Sequence, residues 1–178
     1  MVKKIALIGT LASGKTTLVN ILGKRKGVAV VPEAARIYYA AHPELSPGSP
    51  EATKGIIELS HELEQEAVGS GASLIVCDRS ALDAIAYFRA FGHLQLENEY
   101  FEIIKGRLST YNHLFLLDPK DIPLQNDEIR RESNELRLKI HKAFEEVLAE
   151  REIPFTRLIG SVEERLSRID RLLAESFT

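Results

Sequence analysis

Eight consecutive residues near the start, Gly9-Thr10-Leu11-Ala12-Ser13-Gly14-Lys15-Thr16, fit G-x-x-x-x-G-K-[ST], and Thr17 follows them. Small residues at this spacing let backbone N–H groups curl around phosphate oxygens, and a helix starting there adds its N-terminal dipole. The Lys15 ammonium is placed to reach the β- and γ-phosphates of a nucleoside triphosphate, and the Thr16 hydroxyl to ligate Mg²⁺. Gly9, Leu11, Ala12, Ser13, Gly14, Lys15, Thr16 and Thr17 are therefore the candidate nucleotide-binding residues.

A Mg²⁺-nucleotide site of this kind takes a carboxylate from the end of a neighbouring buried strand. "SLIVCD" supplies Asp78, and "HLFLLD" supplies Asp118 as its competitor. Either could instead be a helix N-cap. Arg79, directly after Asp78, is a cation for a transferring phosphoryl group. After the second apolar run comes "PEAAR", in which Glu33 and Arg36 lie one helical turn apart. Glu33 could accept a proton from an acceptor hydroxyl, and Arg36 could hold an acceptor phosphate or orient Glu33. The plainer alternative is a surface ion pair. "NDEIRRE" places Arg130 and Arg131 in a long polar connection, where they could close over the nucleotide or simply be solvated. His61 and Gln65 share a helix face with no further histidine at metal spacing, and Tyr38 and Tyr39 read as packing residues.

Positioning these groups requires alternating strands and helices. Apolar runs fall at residues 3–9, 28–31, 72–78, 113–118 and 153–159, with helical periodicity between them. Ser49-Pro50 is an N-cap followed by proline at the first helical position, and Ser161 with Glu164 forms a capping box. The expected fold is doubly wound α/β: a five-stranded parallel sheet with helices on both faces, in one domain spanning residues 1–178. Residues 42–50 and about 119–132 are long connections, and the second is a candidate lid.

Composition narrows the class. The net charge is -3, with no block of like charge, which does not favour nucleic acid as a partner. The single cysteine, Cys77, lies in an apolar run and reads as a buried inert thiol. No apolar stretch approaches the roughly 20 residues that span a bilayer, so no membrane role and a cytoplasmic location are expected. Helices flanking the sheet could pair two copies. The Asn-Lys-x-Asp signature of guanine recognition is missing from the sequence.

"GTLASGKTT", "VPEAAR", "IVCDRSALDAIAY" and "NDEIRRE", in this order, resemble the small P-loop ATPase/kinase family. That family has an AAA-type ATP-binding domain and includes the ribosylnicotinamide kinase domain of an NAD-biosynthesis regulator. The pattern is also similar to deoxynucleoside and thymidylate kinases. The resemblance implies a P-loop NTPase fold and ATP with Mg²⁺ held by Lys15, Thr16 and Asp78. It implies Glu33 on the acceptor side, Arg79 bridging acceptor and phosphoryl group, and Arg130 as the lid arginine. The implied activity is γ-phosphoryl transfer to a small nucleoside-like hydroxyl. A nucleoside-monophosphate kinase, or an ATPase acting with a protein or RNA, is the alternative. The chain departs from deoxynucleoside kinases in carrying Asp78, where they carry Glu, before Arg79.

Overall fold

The computed structural model describes residues 2–46, 48–120 and 134–175. The elements run β1 (Lys3–Ile8), α1 (Lys15–Gly23), β2 (Val28–Val31), α2 (Ala34–Ala41), α3 (Pro50–Gly69) and β3 (Leu74–Asp78). They continue as α4 (Ala81–Ala90), α5 (Leu94–Leu108), β4 (His113–Leu117), α6 (Asn134–Glu150), β5 (Thr156–Leu158) and α7 (Val162–Glu175). The five strands form one parallel sheet in the order β2-β3-β1-β4-β5.

β1 lies at the centre of that order, and its sequence explains why. A strand buried on both faces has no polar alternation to keep. Ala6 and Ile8 face one core with Cys77, Leu82, Ile85, Ile140 and Phe144. Ile5 and Leu7 face the other with Leu18, Leu22, Leu158 and Ile169. Successive side chains of a strand point to opposite faces, so one apolar run serves both layers. Cys77 is fully buried, and burial pushes its thiol far above the usual range, as its apolar surroundings imply.

Strand order reverses at β1, where β3 flanks one side and β4 the other. A crevice at such a reversal, beyond the carboxyl ends of the strands, is where open α/β sheets bind ligands. The loop after β1, the Asp78-Arg79 turn after β3 and Glu33 after β2 all emerge at that end.

Most boundaries match the periodicity. Ser49 caps α3 by accepting from the Ala52 N–H at 3.2 Å. Ser161 and Glu164 satisfy each other's backbone N–H groups, at 2.7 and 3.3 Å. The expected strand over 153–159 shrinks to Thr156–Leu158. Pro154 has no N–H for the ladder, and β5 is an edge strand.

Candidate active site

The loop between β1 and α1 is held in a shape few sequences allow. A Cβ at Gly9 (φ 136°) would sit 3.1 Å from the Leu117 carbonyl oxygen, so a side chain there would press on β4. Gly14 (φ 89°) is the left-handed residue that turns the chain into α1. Ala12 is also left-handed, with φ 48°.

Lys15 opens α1 and is buried, and its ammonium donates to Gly9 O at 2.8 Å, Thr10 O at 2.6 Å and Ser13 Oγ at 3.3 Å. Burial, and then the neighbouring Arg79 guanidinium, lower its pKa to about 7. The Thr16 hydroxyl donates to Asp78 Oδ2 at 2.8 Å. Asp78 Oδ1 is buried and has no hydrogen-bond partner among the described residues. A lone buried carboxylate oxygen beside a hydroxyl is a hard-oxygen pair suited to a divalent cation. Among the described residues, no group of three or more His, Cys, Asp or Glu could hold a metal alone. Mg²⁺ bound mainly through phosphates needs only one or two protein ligands, and Thr16 with Asp78 fits that requirement.

Asp118, the competing acid, is otherwise engaged. Its Oδ1 accepts from the Lys120 N–H at 3.0 Å and its Oδ2 from Arg157 at 3.1 Å.

Arg79 sits in a sharp turn with φ 85°, a left-handed conformation that costs a non-glycine residue of order 1–2 kcal/mol. The turn is tied down by the Arg79 N–H, which donates to Leu7 O at 3.0 Å. From there the guanidinium donates to Glu33 Oε1 at 2.7 Å and to Asp83 Oδ1 at 2.9 Å. Asp83 was not singled out in the sequence; its spacing of three from Ser80 is that of a capping box, which it forms. Burial acts against the Glu33 charge, but the Arg79 pair outweighs it and holds the carboxyl below the usual range. Burial dominates at Asp83 and raises its pKa despite the same arginine. Arg36 is largely exposed, and its guanidinium lies 3.7 Å from Glu33.

These groups edge a cavity of about 330 Å³ between α2, α3 and α4. Glu33, Arg36, Asp78, Arg79 and Asp83 supply charged groups to its lining. Val31, Ile57, Ala84 and Tyr87 form apolar wall, and Ser60 and Glu64 lie along α3. Tyr39, read from sequence as packing, also lines the cavity. His61 and Gln65 are exposed on α3 and take no part. Arg130 and Arg131 lie outside the described residues, as does most of the candidate lid.

Sequence reasoning missed two arginines behind the phosphate-binding loop. Arg137 of α6 donates to Ala12 O at 3.0 Å and Pro119 O at 2.6 Å. Arg165 of α7 donates to Ser13 O and Asp118 O, both at 2.8 Å, and to Gly160 O at 2.9 Å. The signal was present, because each stands at helical spacing within an apolar face: 137, 140, 144 and 162, 165, 169.

The sheet order, the glycine-rich loop at its switch point and the Lys15-Thr16-Asp78 arrangement define a P-loop NTPase fold of the kinase-like type. A family profile described as an AAA domain matches residues 4–165, and the chain belongs to that family. No curated protein matches it in sequence. Among solved structures it resembles NadR protein in complex with NR, with TM-score 0.74 and 18% identity. That match covers 98% of this chain and 49% of the other, so this chain spans about half of that protein. Thymidylate kinase from Candida albicans gives TM-score 0.69 at 17% identity, covering 98% of this chain and 92% of that one. Deoxyadenosine kinase from M. mycoides with bound dATP gives 0.66 at 16%, covering 96% and 99%.

Proposed function

We propose that this protein is an ATP- and Mg²⁺-dependent kinase that transfers the γ-phosphoryl group to a hydroxyl of a small nucleoside-like acceptor, as in a ribosylnicotinamide-kinase-like reaction. The observation that carries this reading is the cavity of about 330 Å³ opening beside Asp78 and Arg79, with Glu33 on its wall. A generic phosphate loop needs no such chamber, whereas a phosphotransferase needs one for its acceptor. Structural likeness to a deoxyadenosine kinase and a thymidylate kinase supports the same class.

The charge balance of the cavity favours a hydroxyl acceptor over one already phosphorylated. Glu33, Glu64, Asp78 and Asp83 line it against Arg36 and Arg79, and Arg79 already donates to two of those carboxylates. With Glu64 paired to Lys4 and Asp78 set beside Thr16, a phosphate entering there would meet Glu33 and Asp83 already sharing Arg79, which leaves Arg36 as the remaining cation of the lining.

In this reading Lys15 holds the β- and γ-phosphates, and Thr16 with Asp78 holds Mg²⁺, which would offset phosphate charge when bound. Glu33, kept ionised by Arg79, accepts a hydrogen bond from the acceptor hydroxyl and aligns its oxygen with the phosphoryl group. Arg79 faces the charge that spreads over the transferring oxygens, and Arg130 and Arg131 act from the lid. Catalysis is then positioning and charge stabilisation.

Labelled ATP with a panel of nucleosides, nucleotides, nicotinamide riboside and simple sugars tests this directly. Label should pass into a hydroxyl acceptor, and Glu33→Gln should lower turnover about 10²-fold or more while nucleotide affinity stays within about twofold. Label transfer only to monophosphates, or only to water with stimulation by a protein or RNA, would overturn the proposal.

A further inference from the structure

The orientation of a phosphate-binding loop is a question of which way each peptide faces. In a trans peptide the carbonyl oxygen of one residue and the N–H of the next point in opposite directions. Four carbonyl oxygens of this loop are taken by cationic donors. Those of Gly9 and Thr10 accept from Lys15, at 2.8 and 2.6 Å. That of Ala12 accepts from Arg137 at 3.0 Å, and that of Ser13 from Arg165 at 2.8 Å. Both arginines are buried, at 3% and 1% exposure, although no catalytic role in the proposed reaction falls to them. A guanidinium is an expensive group to bury unless its donors are used. Each of these also anchors the loop to the chain leaving β4, through Pro119 O and Asp118 O respectively.

We propose that Arg137 and Arg165 are positioning residues for the phosphate site. By holding the Ala12 and Ser13 carbonyl oxygens on their own side, they turn the Ser13 and Gly14 N–H groups to the opposite face of the loop, where they meet the phosphates. They also keep two carbonyl dipoles from opposing a polyanion. The division of labour differs from that of Lys15. Its flexible ammonium can leave Gly9 O and Thr10 O for a phosphate, whereas the planar guanidinium groups of the arginines remain on the backbone. Arg165 uses three of its nitrogens in this way, which a lysine could not reproduce. The inference rests on the nucleotide-donor reading of the loop, and its test separates the two.

Binding of Mg²⁺-ATP and of inorganic tripolyphosphate is measured by calorimetry on the full chain and on Arg137→Met, Arg165→Met and Arg165→Lys, with circular dichroism reporting the fold. The expected result is folded variants that bind both ligands about 10- to 100-fold more weakly, the range seen when an orienting outer partner is lost. Arg165→Lys should recover only part of the loss. In ¹H–¹⁵N spectra, the amide shifts that tripolyphosphate induces at Ser13 and Gly14 should shrink in the variants, a readout that general loosening does not single out. In the kinase assay the KM for ATP should rise and the KM for the acceptor should hold. Where Arg165→Met does not fold, Arg165→Lys decides by the same measurements. Wild-type affinity in folded variants, with unchanged Ser13 and Gly14 shifts, overturns the proposal alone. A wild-type protein that binds neither ligand overturns the donor reading and this proposal with it.

Discussion

Lys15 sits among loop carbonyl oxygens with a pKa lowered to about 7 by burial and by Arg79. An ordinary lysine near 10.4 would be fully charged in neutral solution. Because the folded value lies below the unfolded one, the unfolded chain binds more protons between about pH 7 and 10.5. The group's destabilising effect is therefore full below pH 7 and is relieved as pH rises through that window. A bound triphosphate reverses the balance, since a polyanion beside the amine favours the ammonium. At pH 8 binding of Mg²⁺-ATP should take up nearly a full proton, and below pH 6 almost none. Calorimetry in buffers of different ionisation enthalpy reads this directly. Absence of uptake at pH 8, or its persistence in Lys15→Met, would remove Lys15 as the responding group. At this scale the sequence was informative where a residue's type and place agree with one chemistry. Thr16 and Asp78, far apart in sequence, meet in a hydrogen bond of 2.8 Å beside the loop, and Cys77 is as buried as its apolar run implied. The ion pair of Arg79 with Glu33 was not legible, because it joins the ends of two strands through a left-handed turn that no local pattern announces.

The element that organises the acceptor side is the first turn of α4. Asp83 Oδ2 accepts from the Ser80 N–H at 2.9 Å and its Oδ1 accepts from Arg79 at 2.9 Å. One carboxylate thus caps a helix and fixes the arginine in the cavity lining. Asparagine matches aspartate in shape but has a single acceptor oxygen, so its NH₂ must confront one of the two donors. Asp83→Asn should therefore cost about 1–3 kcal/mol, comparable to leaving a buried donor unpaired. Urea denaturation measures this, and a change below about 0.5 kcal/mol would mean that Asp83 is dispensable to the turn. The strands and helices themselves were readable because short continuous apolar runs alternate with longer stretches of helical spacing and capping signals: β2 occupies the expected Val28–Val31, and α3 begins at the expected Pro50. β5 was overread because apolar residues outside the ladder, such as Ile153, pack on the core without pairing.

Across the whole molecule, charged residues stand on helix faces that should be apolar, and they join distant elements. Glu64 on α3 is the clearest case. Its Oε2 accepts from Lys4 of β1 at 2.7 Å, and its Oε1 from the Tyr111 hydroxyl at 2.5 Å and from Arg107 of α5 at 3.4 Å. The Lys4 and Glu64 side chains are 10% and 3% exposed, so water screens this pair little. The two partners are not equivalent when one is removed. Lys4→Met leaves Glu64 with two donors. Glu64→Leu leaves a buried ammonium with the Tyr111 ring, 4.3 Å away, as its remaining neighbour in this group, and Arg107 loses an acceptor. Breaking a buried pair from one side costs about 3–5 kcal/mol, whereas replacing both charges by apolar groups is often close to neutral. Glu64→Leu should thus destabilise by about 3 kcal/mol or more, Lys4→Met by less, and the double variant by clearly less than their sum. Since a domain has about 5–15 kcal/mol in total, Glu64→Leu alone should bring the urea midpoint down by a large fraction. Strict additivity would show that Lys4 and Glu64 act separately, and that their ion pair does not hold α3, which walls the cavity, to β1.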